Sequence, residues 1–147
     1  MAPSRPLETS VTDPSTVRHY AENLIHTYAT LADGNDAEAL GALLADAELV
    51  FDGGAPVKGR DAITDLYRRA GKPGVHLVTN LVVEHAAEDG RVEATARYSR
   101  WELRPRPRPT ALGRYRFRLT GAGRDWRIAR LNVVREWQEH QDQRDSR

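Results

Sequence analysis

The feature that most constrains the fold is a change in hydrophobic periodicity at about residue 74. Before it, apolar residues recur at spacings of three and four over residues 16–32, which predicts an amphipathic helix. Its apolar positions are Val17, Tyr20, Ala21, Leu24, Ile25, Tyr28, Leu31 and Ala32. After it, the period becomes two, which is typical of strands. Four strands are predicted, at residues 75–85, 91–103, 110–119 and 125–137.

Shorter elements lie between these two regions. Either Ser15 or Thr16 is expected to cap the first helix, and the turn at residues 33–36 ends it. Asn35, followed by Glu38, is expected to cap a second helix at residues 37–44. A short strand at residues 48–52 stops at two glycines, and a third helix is predicted at residues 62–70.

Helices followed by a meander of long strands predict an α+β fold, with the helices on one face of a curved, mainly antiparallel sheet. Residues 16–138 form the domain, between a flexible tail at 1–15 and a polar tail at 139–147 that is expected to fray. The Arg-Pro repeat at residues 104–109 is expected to be a loop outside the sheet interior.

The strand at residues 75–85 is apolar on both faces. Strict alternation places Leu77, Leu81 and Val83 on one face and Val78 and Val82 on the other. The helices cover only one face, and a strand that is apolar on both needs cover on both. We therefore expect an identical subunit to pack on the other face, giving a homodimer.

Composition and the lack of certain motifs exclude several classes of function. The chain of 147 residues has no cysteine, which excludes disulfides, thiolate catalysis and zinc–sulfur sites. Its formal net charge of +1 gives no strong attraction to nucleic acid or to membranes. No secretory signal and no membrane span is recognisable, so a cytoplasmic location is expected. Zinc-protease spacing, a Walker loop and a dinucleotide glycine fingerprint are also missing, so neither a metal nor a cofactor is expected.

Residues 16–137 resemble the SnoaL-like branch of the nuclear-transport-factor-2-like superfamily. The resemblance rests on Tyr28, the turn at 33–36, the Gly-Arg-Asp-Ala-Ile helix start at 59–63, the His-Leu-Val-Thr-Asn stretch at 76–80 and the Trp-Arg-Ile stretch at 126–128. The stretch at 76–80 is also similar to the β subunits of aromatic-ring dioxygenases. The resemblance implies a cone-like sheet that encloses a pocket for a small, largely apolar molecule. Family members include isomerases, dehydratases, polyketide cyclases, epoxide hydrolases and proteins without catalysis, so fold alone does not give the activity.

The resemblance also implies candidate catalytic residues. Asp33 and His76 stand where scytalone-dehydratase-like enzymes have an Asp and a His, but Ala32 replaces a Tyr and a second His is not evident. Tyr28 and Asp52 are at places comparable to the Tyr and the Asp base of ketosteroid-isomerase-like enzymes, whose protonated Asp has no clear match here. An Asp-Arg-Asp set like that of limonene epoxide hydrolase is not recognisable.

The candidate catalytic pair is His76, which would move a proton, and Asp33, which would orient it. Each also has a plain structural reading, because His76 can complete a hydrogen bond in the core and Asp33 precedes a glycine in a turn. Tyr28 either binds ligand or fills the core, and Asp52 fits the start of a turn better than a base.

Further pocket residues are predicted from the strands. Asn80 shares the face of His76 by alternation and is expected to bond a substrate oxygen or a neighbouring loop. Tyr98, Trp101 and Tyr115 are expected to form an aromatic wall or plain core. An arginine series on the opposite face of the same strand indicates a solvated or partner-facing surface, or an anion site: Arg114, Arg116 and Arg118.

These residues predict a cofactor-free acid–base enzyme, a dehydratase, isomerase or cyclase of a small aromatic or polyketide-like molecule. A non-catalytic binding or structural module, similar to a dioxygenase β subunit, is the alternative. A small-molecule carrier is a third reading. An open cavity with Asp33 and His76 in contact would favour the enzyme.

Overall fold

The computed structural model describes residues 13–86 and 90–140. Three helices precede most of the sheet: α1 at Pro14–Asp33, α2 at Ala37–Leu43 and α3 at Arg60–Ala70. The strands are β1 at Glu48–Phe51, β2 at Val57–Lys58, β3 at Val75–Ala86, β4 at Arg91–Glu102, β5 at Arg108–Ala122 and β6 at Asp125–Gln138. They form one sheet in the order β2-β1-β6-β5-β4-β3, which is antiparallel except where β1 pairs with β6. The predicted α+β fold is confirmed.

The helices begin and end within two residues of the predicted boundaries, and the caps differ. Asp13 caps α1 by accepting hydrogen bonds from the backbone N–H of Ser15 and the hydroxyl of Thr16, so the cap lies earlier than predicted. Asp36, not Asn35, caps α2 and accepts from the backbone N–H of Ala39. Asn35 is instead used in the turn, where its φ of 48° suits the left-handed region that Asn tolerates.

The sheet extends further than predicted. The short strand β2 was missed because two residues show no periodicity. The expectation of a loop over residues 104–109 is wrong for Arg108 and Pro109, which belong to β5 and pair with Glu102 and Trp101. Pro109 is tolerated because it lies at the start of the strand, beside an irregularity in the pairing, where no ladder donor is needed.

The predicted tails fall mostly outside the described residues, which include only positions 13–15 and 139–140 of them. At the C-terminal side the backbone N–H of Glu139 donates to the carbonyl of Thr110 at 2.8 Å. The guanidinium of Arg108 lies 3.2 Å from the Glu139 carboxylate. Glu139 therefore extends the hydrogen bonding between β5 and β6 by one residue beyond the end of β6.

The core lies between the helices and the inner face of the sheet. Its fully buried side chains come from all three helices and from β1, β4, β5 and β6, and they include Ile25, Leu40, Leu49, Ile63, Val92, Phe117, Leu119, Ile128 and Leu131. None of the helices in the described ranges is long and apolar enough to cross a membrane.

A β-bulge changes the faces of β3. Thr79 pairs with Arg97 and Val82 with Thr95, so two residues of β3 oppose one residue of β4. Asn80 lies in this bulge with a φ of 56°. Strict alternation is therefore wrong across it: Val78, Leu81 and Val83 pack against the core, whereas Leu77 and Val82 are 49% and 52% exposed on the outer face. The outer face of β3 thus still carries two exposed apolar side chains, Leu77 and Val82.

Candidate active site

A cavity of about 750 Å³ lies between helices α1 and α3 and the inner face of the sheet. Four tyrosines line it, together with His76, Arg100 and Arg135. The tyrosines are Tyr28 from α1, Tyr67 from α3, Tyr98 from β4 and Tyr115 from β5. A cavity of this volume lies within the range of small-molecule sites in proteins.

His76 and Asp33 meet at this cavity. Asp33 is the last residue of α1, and His76 is the second residue of β3. The Asp33 Oδ1 atom accepts a hydrogen bond from the backbone N–H of His76 at 2.6 Å and lies 2.9 Å from Nδ1 of its ring. The backbone N–H of Gly74 also donates to the Asp33 carbonyl at 2.9 Å. The end of the helix and the start of the strand are thus joined at three points.

This geometry sets the tautomer of His76. Because an ionised carboxylate only accepts, Nδ1 carries the proton and donates it to Asp33, which leaves Nε2 as the basic nitrogen. Within the described ranges, no residue forms a hydrogen bond with Nε2. The His76 side chain is 12% exposed and lines the cavity, so this lone pair is available to a bound molecule.

Burial keeps His76 neutral. Desolvation lowers the pKa of His76 below 6.5, the hydrogen bond and charge of Asp33 oppose this, and the positive charge of Arg100 adds to the lowering. At neutral pH the ring is therefore an unprotonated base that Asp33 is placed to stabilise once it accepts a proton.

The tyrosines of the cavity are neutral phenols. The hydroxyls of Tyr28 and Tyr67 are 3.0 Å apart and buried. The rings of Tyr98 and Tyr115 are stacked, with centroids 4.3 Å apart and planes 8° from parallel. Burial raises the pKa of Tyr98 to about 12, and it raises the pKa of Tyr28, Tyr67 and Tyr115 as well. All four are hydrogen-bond donors at neutral pH.

Asn80 and Trp101 do not reach this cavity. The prediction that Asn80 shares the face of His76 is wrong, because the bulge turns Asn80 to the outer side of the sheet, beside Arg97 and Arg114. Trp101 follows the outer-facing Ser99 by two residues, and its indole N–H donates to the Ser99 hydroxyl at 2.9 Å. Neither side chain is placed to contact a molecule in the cavity.

Asp52 is held by Arg135. Its carboxylate accepts from the backbone N–H of Arg135 at 2.7 Å and from the guanidinium Nε at 3.2 Å. Asp52 itself has a φ of 50°, which agrees with the turn that the sequence favoured over a base.

Tyr67, Arg100 and Arg135 are among the cavity residues that were not predicted from the sequence. Tyr67 shares the apolar stripe of α3 with Ile63, a signal that was available. Arg100 is opposite His76 in the β3–β4 register and donates to the Thr110 hydroxyl and the Pro73 carbonyl, each at 2.8 Å. Neither Arg100 nor Arg135 belongs to a recognisable motif. Across the described part of the chain, no three His, Asp or Glu side chains are grouped to hold a metal ion.

Comparison with known proteins agrees with this description. The SnoaL-like domain family matches residues 15–132. No curated protein matches the chain. A nuclear-transport-factor-2-like protein with a cystatin-like fold from Novosphingobium aromaticivorans has 25% sequence identity and a TM-score of 0.68, and the match covers 81% of each chain.

Two other structures from the same organism share the fold. A candidate scytalone dehydratase has 19% identity and a TM-score of 0.66, covering 84% of this chain and 88% of that one. The β subunit of a candidate aromatic-ring-hydroxylating dioxygenase has 18% identity and a TM-score of 0.68, covering 85% of this chain and 92% of that one. At such identities these likenesses concern the fold alone.

The fold and the cavity define an α+β cone protein of the nuclear-transport-factor-2-like class. Within that class, the chain belongs to the SnoaL-like family. The resemblance drawn from the sequence is confirmed.

Proposed function

We propose that this protein is an acid–base enzyme that needs no cofactor, a dehydratase, isomerase or cyclase acting on a small aromatic or polyketide-like molecule. The observation that carries the proposal is the pair formed by His76 and Asp33, with Nδ1 2.9 Å from Oδ1, at the wall of an open cavity. The two residues are 43 positions apart in sequence, so their contact depends on how α1 and β3 pack.

In this proposal, Nε2 of His76 removes a proton from the substrate. The C–H or O–H bond breaks, its electron pair stays on the substrate, and the ring becomes an imidazolium beside the Asp33 carboxylate. The same nitrogen then returns the proton, either to another carbon in an isomerisation or to a leaving hydroxyl in a dehydration. Asp33 is a positioning residue, since it holds the ring and stabilises its charge without touching the substrate.

Two features of the cavity support this assignment. The neutral His76 is ready to accept a proton at pH 7, where a protonated ring would be inactive as a base. The phenols of Tyr28, Tyr98 and Tyr115 belong to buried side chains of the cavity wall, where hydrogen bonds to a substrate oxygen are stronger than in water.

The test is proton exchange in deuterated water. Phenolic ketones and polyketide-like aromatic compounds are incubated with the protein, and incorporation of deuterium is followed by mass spectrometry. For a compound that exchanges, we expect His76→Gln to lower the rate by about 10²–10⁴-fold. The matched control is His85→Gln, because His85 lies on the same strand outside the cavity lining. Full activity of a folded His76→Gln variant would refute the proton role.

A row on the outer face with three apolar side chains and one serine favours a second candidate, a binding or structural role similar to that of a dioxygenase β subunit. Leu77, Ser99, Leu112 and Trp137 are aligned across β3, β4, β5 and β6. Leu112 and Trp137 are 48% and 44% exposed. We propose that a second copy of the chain covers this row, since exposed apolar groups aligned in this way mark an interface.

The interface is tested by light scattering after size-exclusion chromatography. We expect a dimer for the natural chain and a monomer for Leu112→Glu. The control is Leu103→Glu, because Leu103 is also exposed but lies outside this row, between β4 and β5. A monomeric natural chain would refute the homodimer. A dimer without any exchange activity would favour the binding role over the enzyme.

A further inference from the structure

The cavity has a polar corner on the side of β6, whereas His76 lies on β3. Val78, Tyr98, Gly113 and Arg135 are in register across β3, β4, β5 and β6. A Cβ atom on Gly113 would lie 2.6 Å from Cε1 of the Tyr98 ring. The missing side chain therefore allows the Tyr98 ring to lie across β5, in the direction of Arg135. The backbones of β3 and β6 are three strand spacings apart, about 14 Å.

Three polar side chains in this corner are donors, beside the acceptors Asp52 and Gln138 that bond to Arg135. Tyr98 and Tyr115 are 6% and 2% exposed and line the cavity, and neither hydroxyl has a partner among the residues described here. Every fully buried side-chain nitrogen or oxygen in those residues has a hydrogen-bond partner. The two hydroxyls without a partner are therefore accessible, and they open into the cavity that their side chains line. Arg135 adds a guanidinium. We call Tyr98, Tyr115 and Arg135 the donor corner.

The partners of Arg135 leave one edge of its guanidinium available. Asp52 accepts from Nε, and Gln138 accepts from Nη1 at 3.2 Å. Nη2 has no hydrogen-bond partner within residues 13–86 and 90–140. Asp52 thus holds the guanidinium in one orientation, with Nη2 left for a molecule in the cavity.

A carboxylate matches the donor corner. It is planar, it only accepts, and it has two oxygens for the guanidinium and a phenol. The stacked rings of Tyr98 and Tyr115 provide an aromatic wall beside it. A neutral carbonyl has one oxygen and no charge, so it would use fewer of these donors.

We propose that the donor corner binds the carboxylate of an aromatic acid, and that the substrates of this protein are aromatic carboxylic acids. The assignment of substrates rests on the proposed function, whereas carboxylate binding does not. The aromatic body of the acid lies along the tyrosine wall, and its reacting carbon is on the side of His76. Arg135 is a specificity-determining residue.

The test compares two probes of the same shape, 2-naphthoate and 2-naphthamide, by isothermal titration calorimetry at pH 7.5. We expect the natural protein to bind 2-naphthoate at least tenfold more tightly than the amide. Arg135→Gln should remove this preference. The control is Arg114→Gln, because Arg114 precedes Tyr115 on β5 and lies on the outer face. Equal affinity for the two probes, or a preference that survives Arg135→Gln, would overturn the proposal.

A second variant covers the case in which Arg135→Gln disturbs the turn at Asp52. Tyr98→Phe keeps the stacked ring and removes only the hydroxyl. It should lower the affinity for 2-naphthoate several-fold, with little effect on the affinity for 2-naphthamide. Unchanged 2-naphthoate affinity in this variant would also count against the donor corner.

His76→Gln separates this inference from the proposed function. We expect it to keep the preference for 2-naphthoate, because His76 is three strands away from Arg135, while exchange activity is lost. If exchange survives in His76→Gln and the carboxylate preference is present, the proposed function fails and the donor corner stands. If neutral compounds exchange through His76 without any carboxylate preference, the donor corner fails and the proposed function stands.

Discussion

Gly113 offers a sharp test of how the cavity is built. A Cβ atom at this position would lie 2.6 Å from Cε1 and 2.9 Å from Cζ of Tyr98, and it would overlap the Val134 carbonyl oxygen of β6. Contacts below 3.0 Å are essentially never seen for a Cβ atom, so Gly113→Ala must displace either the ring or the β5–β6 pairing. The carbonyl is backbone and cannot rotate away, so relief there requires the strand to move.

The cost follows from these two contacts. Adding a methylene to a packed interior typically destabilises by about 1–3 kcal/mol, and a backbone neighbour favours the upper end. We expect Gly113→Ala to lower the free energy of unfolding by about 3 kcal/mol. With a urea m-value of about 2 kcal/mol/M, the midpoint moves down by about 1.5 M.

The matched control is Gly34→Ala. A Cβ on Gly34 meets nothing within 4 Å, and its φ of −83° is accessible to alanine. The free energy of unfolding of Gly34→Ala should equal that of the natural protein or exceed it by up to about 1 kcal/mol. The assay is urea unfolding followed by far-ultraviolet circular dichroism. A Gly113→Ala midpoint equal to that of Gly34→Ala would refute the reasoning.

The double variant Gly113→Ala, Tyr98→Ala divides the cost between ring and backbone. If the contact with the ring dominates, Gly113→Ala lowers the free energy of unfolding by less in the Tyr98→Ala background than in the natural protein, so the two changes are non-additive. If the Val134 carbonyl dominates, the cost is the same in both backgrounds.

Three other predictions concern the core and the site. Phe117→Ala should lower the free energy of unfolding, measured with urea, by about 3–5 kcal/mol, because Phe117 is fully buried. A decrease below about 1 kcal/mol would contradict its place in the core. Tyr67→Phe should lower the same free energy of unfolding by about 1–2 kcal/mol, because it leaves the buried hydroxyl of Tyr28 without its partner. An unchanged free energy would show that this hydrogen bond does not stabilise the fold. The pKa of His76 is lower in the folded state than its ordinary 6.5, so its contribution to stability is present above pH 6.5 and is lost as the pH falls below that value. The urea midpoint of His76→Gln should therefore fall less between pH 7.5 and pH 5.5 than that of the natural chain, and an equal fall would refute the shift.

Much of the fold was predictable, because helix and strand periods are local properties of the sequence. The amphipathic stripe of α1 and the four long strands appear in the order that the structure shows. The resemblance also placed Asp33 and His76 together as candidates. Their hydrogen bond, however, depends on α1 ending beside the start of β3, which no local pattern specifies.

The faces of residues in and beyond the β3 bulge were mispredicted for one physical reason. An extra residue in a strand reverses which side chains face the core, and nothing in the alternation at 75–85 marks its place. Asn80 was therefore expected beside His76 and lies on the opposite side of the sheet.

The sequence by itself determined the class of fold, the long strands and the residues able to transfer a proton, because hydrophobic period and side-chain chemistry belong to each residue. Tertiary structure decided which of these residues share a cavity. Tyr98, Gly113 and Arg135 come together through the register of three strands, and Tyr67 meets Tyr28 through the packing of two helices. Such contacts depend on register and packing over long separations, which are properties of the whole sheet and its helices.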